Sequence, residues 1–157
     1  MNLKLMCIGK TDNRQLQQLI DDYTKRLSHY IKFELEALPD LKKTKHLSEA
    51  QQKEKEGTLL LSKLQSTDVL ILLDERGKQY SSTAFAKFLQ KKMNAGHKTL
   101  VFAVGGPYGF SPEVYERAQG KVSLSAMTFS HQMVRLFMTE QLYRAFTILK
   151  GEPYHHE

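Results

Sequence analysis

The chain has 157 residues, 41% of them hydrophobic and 25% charged, which suffices for one domain around one core. No apolar run approaches the roughly 20 residues of a membrane helix, and the single cysteine, Cys7, excludes an internal disulfide framework and fits a reducing cytosol. A net charge of +6 favours an anionic partner such as RNA, and equally describes a lysine-rich solvated surface.

The opening "MNLKLMCIGK" is too short and polar for a signal peptide, and Leu3–Gly9 reads as a first strand with Cys7 a buried, inert thiol. Arg14–Ser28 is helical, since Leu16, Leu19, Ile20, Tyr23 and Leu27 repeat at the spacing of one buried face, with Asp12 as the expected N-cap. Phe33, Leu35 and Ala37 alternate with polar residues as in a half-buried strand, which Pro39 ends. A basic loop, "PDLKKTKHLS", follows. Ser48 with Gln51 forms a capping box that opens a helix to about Leu64.

"DVLILLD", Asp68–Asp74, is a continuous apolar run of the kind buried on both faces of a parallel sheet. "ERGKQYSS" reads as a loop, and Ser81 or Ser82 caps a helix to about Ala95. Thr99–Val104 is a second fully apolar strand. Ser111 and Pro112 supply an N-cap and a first-turn proline for a helix ending near Gly120, and Lys121–Ser125 is a short strand. After the loop "AMTF", Ser130 caps a long helix to Lys150, stopped by Gly151 and Pro153. Alternating strands and helices, without linker or repeat, make one α/β domain over residues 1–157, a mainly parallel sheet flanked by helices. The last helix carries more than one apolar stripe, which points to a second buried face and a symmetric dimer.

Three strand-end loops should open at one edge of such a sheet. They contribute Leu73 to Gly77, then Gly105, Gly106, Pro107 and Gly109, then Leu124 to Phe129. Small, apolar and glycine residues suit a flat ligand such as an adenosine, read by exposed backbone groups. No phosphate-loop or dinucleotide fingerprint is present, nor a nucleophile elbow. His29, His46 and His97 stand alone as surface residues, and His131 stands at the start of the last helix. His155 and His156 lack a third ligand at useful spacing, so no metal is expected. "EPYHHE" reads as a tail that folds over an active site or as a disordered end.

"LLDERGK", "FAVGGPYGFS", "SLSAMTFSHQMVRLFMTEQLYRA" and "PYHHE", in this order, resemble the RlmH family over essentially the whole chain. Those proteins are minimal SPOUT-class methyltransferases acting on N3 of a pseudouridine in 23S ribosomal RNA. The resemblance implies a C-terminal trefoil knot, over about residues 68–157, and a cytoplasmic homodimer with each active site completed across the interface. It implies S-adenosyl-L-methionine as methyl donor, held by Leu73, Gly105, Leu124, Ser125, Ala126, Met127, Thr128 and Phe129. The ribosome is the implied partner, with no membrane and no metal. Tyr154 or His155 would position the target base, while Arg135 or Arg144 would hold RNA phosphate or a developing anion. Lys42, Lys43, Lys45, Arg76 and Lys78 are candidate phosphate contacts, though each taken singly reads more readily as a solvated loop charge. The chain departs from the family tail at His156, where a basic Arg or Lys is usual, so a fixed charge there becomes a titratable one. The competing expectation is a non-catalytic RNA-binding protein that keeps the fold.

Overall fold

The computed structural model describes residues 1–157. Its elements in chain order are β1 (Asn2–Ile8), α1 (Arg14–Leu27), β2 (Phe33–Leu38), α2 (Glu49–Ser62), β3 (Val69–Gln79), α3 (Ser82–Asn94), β4 (Thr99–Val104), α4 (Pro112–Arg117), β5 (Gly120–Ser123) and α5 (Met133–Leu149). A single 3₁₀ turn, Thr44–His46, interrupts the basic loop. The strands form one sheet in the order β2-β1-β4-β3-β5, and every pairing is parallel.

Local chemistry sets most boundaries as the sequence implies. Ser48 and Gln51 form the reciprocal capping box of α2, and Ser81 and Ser111 accept the backbone N–H groups that open α3 and α4. Two start signals differ from expectation. Asn13, not Asp12, caps α1 by accepting from the Leu16 N–H. Ser130 accepts from the Met133 N–H at 3.1 Å, but its turn leads into α5 without being part of the helix.

The central strands are apolar because both faces are covered. On one face, α1, α3 and α5 bury Leu27, Phe85, Leu89, Met138, Leu142 and Phe146 against Leu5, Ile71 and Phe102. On the other, α2 and α4 bury Leu60 and Val114 against Met6, Leu70, Leu72 and Val101. The middle position of α5, packed by α1 on one flank and α3 on the other, accounts for much of its broad apolar surface. Leu19, assigned by spacing to the buried face of α1, is instead half exposed.

The largest difference from expectation is β3. It continues past Asp74 through "ERGKQ", where the sequence reads as a loop, and pairs again with β5 after a register shift between Leu73 and Lys78. Gly77 permits this return, since a Cβ there would stand 2.7 Å from the Val122 backbone. The chain runs from β3 to β4 on one side and then to β5 on the other. The connections after β4 and β5 therefore meet beside the carboxyl end of β3, the kind of crossing point where open α/β sheets place ligands. No helix is long and apolar enough to cross a membrane.

Candidate functional site

At that crossing point lies a cleft of roughly 600 Å³, within the range of about 300–1,000 Å³ typical of small-ligand sites. Its floor comes from Leu73, Val104 and Val122 at the strand ends. One wall is the glycine turn after β4. There, the Gly109 N–H donates to the Gly106 carbonyl, and Gly109 takes a left-handed φ of +85°. A Cβ on Gly105 would press on the Gly109 backbone at 3.3 Å, so a side chain there would require the turn to give by a few tenths of an ångström.

The opposite wall is the loop between β5 and α5. Ser123 donates its hydroxyl to the Ser125 carbonyl, Ser125 accepts from the Met127 N–H, and Thr128 donates to the Glu75 carboxylate at 3.1 Å. These bonds pin the loop to the overrun of β3. At the rim, Tyr115 donates to Asp74, and burial and this bond push its phenol up to about 12.

Of the residues expected to hold the donor, Leu73, Gly105, Leu124, Ser125, Met127, Thr128 and Phe129 line the cleft. Ala126 belongs to the same loop but is not part of the lining. Arg76 lines the cleft, whereas Lys78 lies with its ammonium 5.0 Å from the Tyr80 ring centre. Glu75, from the first strand-end loop, lines it as well, and so do Tyr108, Tyr115 and Val134, which the sequence does not single out. A tyrosine in a loop has no periodicity to mark it. Glu75 and Val134 come into place only through the β3 overrun and the docking of α5.

Tyr154 and His155 do not line the cleft. They fold back on α5 and α1. Tyr154 donates to Glu140 at 2.9 Å, lies 3.4 Å from the Tyr23 hydroxyl, and packs edge-on against Tyr143. Burial first, then the bonds to Tyr23 and Glu140, push its phenol above the usual tyrosine range, so it stays protonated. Arg144 bonds Glu140 at 2.7 Å and His155 Nδ1 at 3.1 Å, and its guanidinium stands 4.8 Å from the Tyr154 ring centre. Arginine has only donors, so Nδ1 must accept and neutral His155 carries its proton on Nε2. Glu152 accepts from Tyr30 at 2.5 Å, which anchors the start of the tail.

Arg135 corrects an expectation. It is fully buried and donates to the carbonyls of Ile8, Gly9 and His131 and to the Thr11 hydroxyl. Its guanidinium ties the end of β1 to the start of α5 and has no face open to RNA or substrate. Burial pushes the Cys7 thiol up to about 11 against the nearby Arg135 charge, which makes it the inert thiol expected. No group of three or more His, Cys, Asp or Glu side chains could hold a metal ion.

With this geometry in view, residues 1–155 match the family described as "Predicted SPOUT methyltransferase". The chain is 72% identical to the ribosomal RNA large subunit methyltransferase H of Flavobacterium johnsoniae over 157 residues, all of both chains. It is 67% identical to the protein of the same name from Christiangramia forsetii over 99% of each chain, and 59% identical to that of Parabacteroides distasonis over all of both. The chain belongs to the SPOUT methyltransferases and, within them, to the family of ribosomal RNA large subunit methyltransferase H, RlmH.

Proposed function

We propose that this chain is an S-adenosyl-L-methionine-dependent methyltransferase acting on N3 of a pseudouridine in 23S ribosomal RNA of the large subunit, in the cytoplasm. The observation that carries this reading is the convergence of three carboxyl-end loops on one glycine-walled cleft in a chain of this family. The cleft fits the donor in kind. It is large enough, it offers apolar floor and backbone walls to a flat nucleoside, and it has no cluster of basic side chains that would demand a phosphate. Leu73, Gly105, Leu124, Ser125, Met127, Thr128 and Phe129 would hold it, with Ala126 shaping the loop. Bound there, the donor supplies an already activated methyl group, which leaves the protein the tasks of alignment and charge stabilisation.

The second half of the site is the tail cluster. It does not reach the cleft of its own chain, so we propose that a homodimer brings one copy's tail to the other's cleft. Met127, Phe129, Met133 and Phe137 leave apolar surface exposed around the start of α5, which suits such an interface. In this arrangement the tail acts through donors. Tyr154 is held protonated with its one proton given to Glu140, the Nε2 of His155 is buried without a partner and becomes the free donor only when the tail meets the target, and Arg144 carries a fixed charge. Arg144 and His155 position the carbonyls of the target ring and stabilise the negative charge left on it as N3 gives its proton to water before taking the methyl group. Arg76 in the cleft lining and Lys78 over Tyr80 are phosphate contacts in this reading, and the trefoil knot over about residues 68–157 belongs to it.

The test is incubation with labelled S-adenosyl-L-methionine and ribosomes lacking the modification, with free 23S RNA and unpseudouridylated ribosomes alongside. Label in one pseudouridine supports the reading. Donor binding without label points to another acceptor. Salt-sensitive RNA binding with neither donor binding nor label favours a non-catalytic ribosome-binding module.

A further inference from the structure

Glu56 lies on α2, behind the glycine turn that walls the cleft, and takes no part in the chemistry above. It is only 5% exposed, and its Oε1 has no hydrogen-bond partner. Such a carboxyl is costly to retain, and its surroundings show what it does. A Cβ built on Gly106 would stand 2.5 Å from both carboxyl oxygens, so the Glu56 head fills the space that a side chain at 106 would occupy. Gly106 lines the cleft on its other side. The turn is thus one backbone layer thick, with the ligand cleft in front and a carboxyl behind. Gly57, next along α2, meets the Ser111 hydroxyl where its own side chain would be, and this close approach of α2 to the start of α4 delivers Glu56 to the turn.

We infer that Glu56 is a positioning residue for the donor-binding turn, supporting Gly105 and Gly106 from behind in the shape that receives the ligand. The inference rests on the reading of the cleft as the donor site. Its electrostatics give it a signature that simple packing lacks. Burial pushes the Glu56 carboxyl up, the Asp40 carboxylate pushes the same way, and the Gln52 amide opposes them. Asp40 faces it from the segment after β2, where it also fills the side-chain space of Gly9, and Lys53 is the one other charged residue lining the small cavity around it. An acid whose folded value is raised favours the native turn while protonated, and that contribution is lost as pH rises through the folded value.

The experiment combines amide hydrogen exchange of residues 105–110 in the free protein with S-adenosyl-L-methionine titration. It uses the intact chain and the variants E56A, E56Q, G106A and E56A/G106A. E56A is expected to speed exchange in the turn and to weaken donor binding, each about tenfold, with exchange in β1 and α5 unchanged. Donor affinity of the unaltered chain should fall as pH rises through the Glu56 titration, and E56Q should abolish that slope. G106A should cost far less in the E56A background than alone, since the carboxyl it displaces is gone. Unchanged exchange in E56A, an identical pH slope in E56Q, or equal G106A costs in both backgrounds would each overturn the inference. If the unaltered chain bound no donor, the reading of the cleft would fall, while exchange and the G106A comparison would still decide the role of Glu56. Should E56A fail to fold, the isosteric E56Q decides through its pH slope.

Discussion

The cleft and the tail cluster are built from different material. Around the cleft, the shape is set by main-chain turns: a turn of glycines after β4, a self-bonded loop after β5, and the strand ends between them. Around the tail, it is side-chain heads: Glu140, Arg144, Tyr154 and His155 held to one another by hydrogen bonds of 2.7–3.1 Å. A main-chain site tolerates many changes of side chain and fails when a Cβ is added at a crowded glycine. A side-chain site fails at single atoms while the fold beneath it stands. The comparison teaches where binding and turnover should separate.

The largest effect should come from the frame beneath the cleft. Arg135→Met leaves the buried carbonyls of Ile8 and Gly9 without their donors, and it is expected to lower stability by about 3–5 kcal/mol in denaturant unfolding. The salt dependence of RNA binding should not change, because the guanidinium never reaches RNA. A large loss of RNA affinity in a fully stable variant would break the structural assignment.

His155→Ala should sharpen the division between the two regions. Turnover is expected to fall about 100-fold, the scale of a lost positioned proton donor, with donor affinity intact by calorimetry. Parallel losses of both would show that the tail shapes the cleft as well.

Next is Gly77→Ala. Its Cβ would stand 2.7 Å from the Val122 backbone, which cannot rotate away, so the return pairing of β3 with β5 must shift. A stability loss of about 1–3 kcal/mol with weakened donor binding is expected from thermal unfolding and titration. An unaffected variant would mean that the overrun of β3 does not brace the cleft.

The smallest effect belongs to Tyr154→Phe, which removes one bond to Glu140, worth about 1 kcal/mol. Since burial and hydrogen bonding keep the phenol protonated through neutral and mildly alkaline pH, the pH profile of turnover should keep its shape in the variant. A titration that disappears with the hydroxyl would make Tyr154 a base rather than a donor.

Much of the site is legible in the sequence, and for one reason. In a parallel α/β chain, the carboxyl ends of neighbouring strands lie at one edge, so strand order alone brings Leu73, Gly105 and Leu124 together. The continuation of β3 through "ERGKQ" is not legible, because its charged and glycine residues carry no strand pattern. They pair only because β5 stands beside them after a register shift. Arg135 misleads for a related reason. An arginine on a helix looks available for an anion until the ends of β1 and α5 close around it. Glu56 is silent altogether, since a glutamate at the end of the alternating run "KEKE" reads as a solvated charge.

By itself the sequence determined the alternation of strands and helices, the capping signals, the family, and which loops would share an edge. These follow from periodicity, short-range hydrogen bonding and motif order, all of which act along the chain. Only the tertiary structure decided which charges are buried, which glycines are crowded, and that the tail lies off its own chain's cleft. Those facts depend on atoms far apart in sequence meeting in space, where burial and the exclusion of water reverse what a charged or small residue would do on its own.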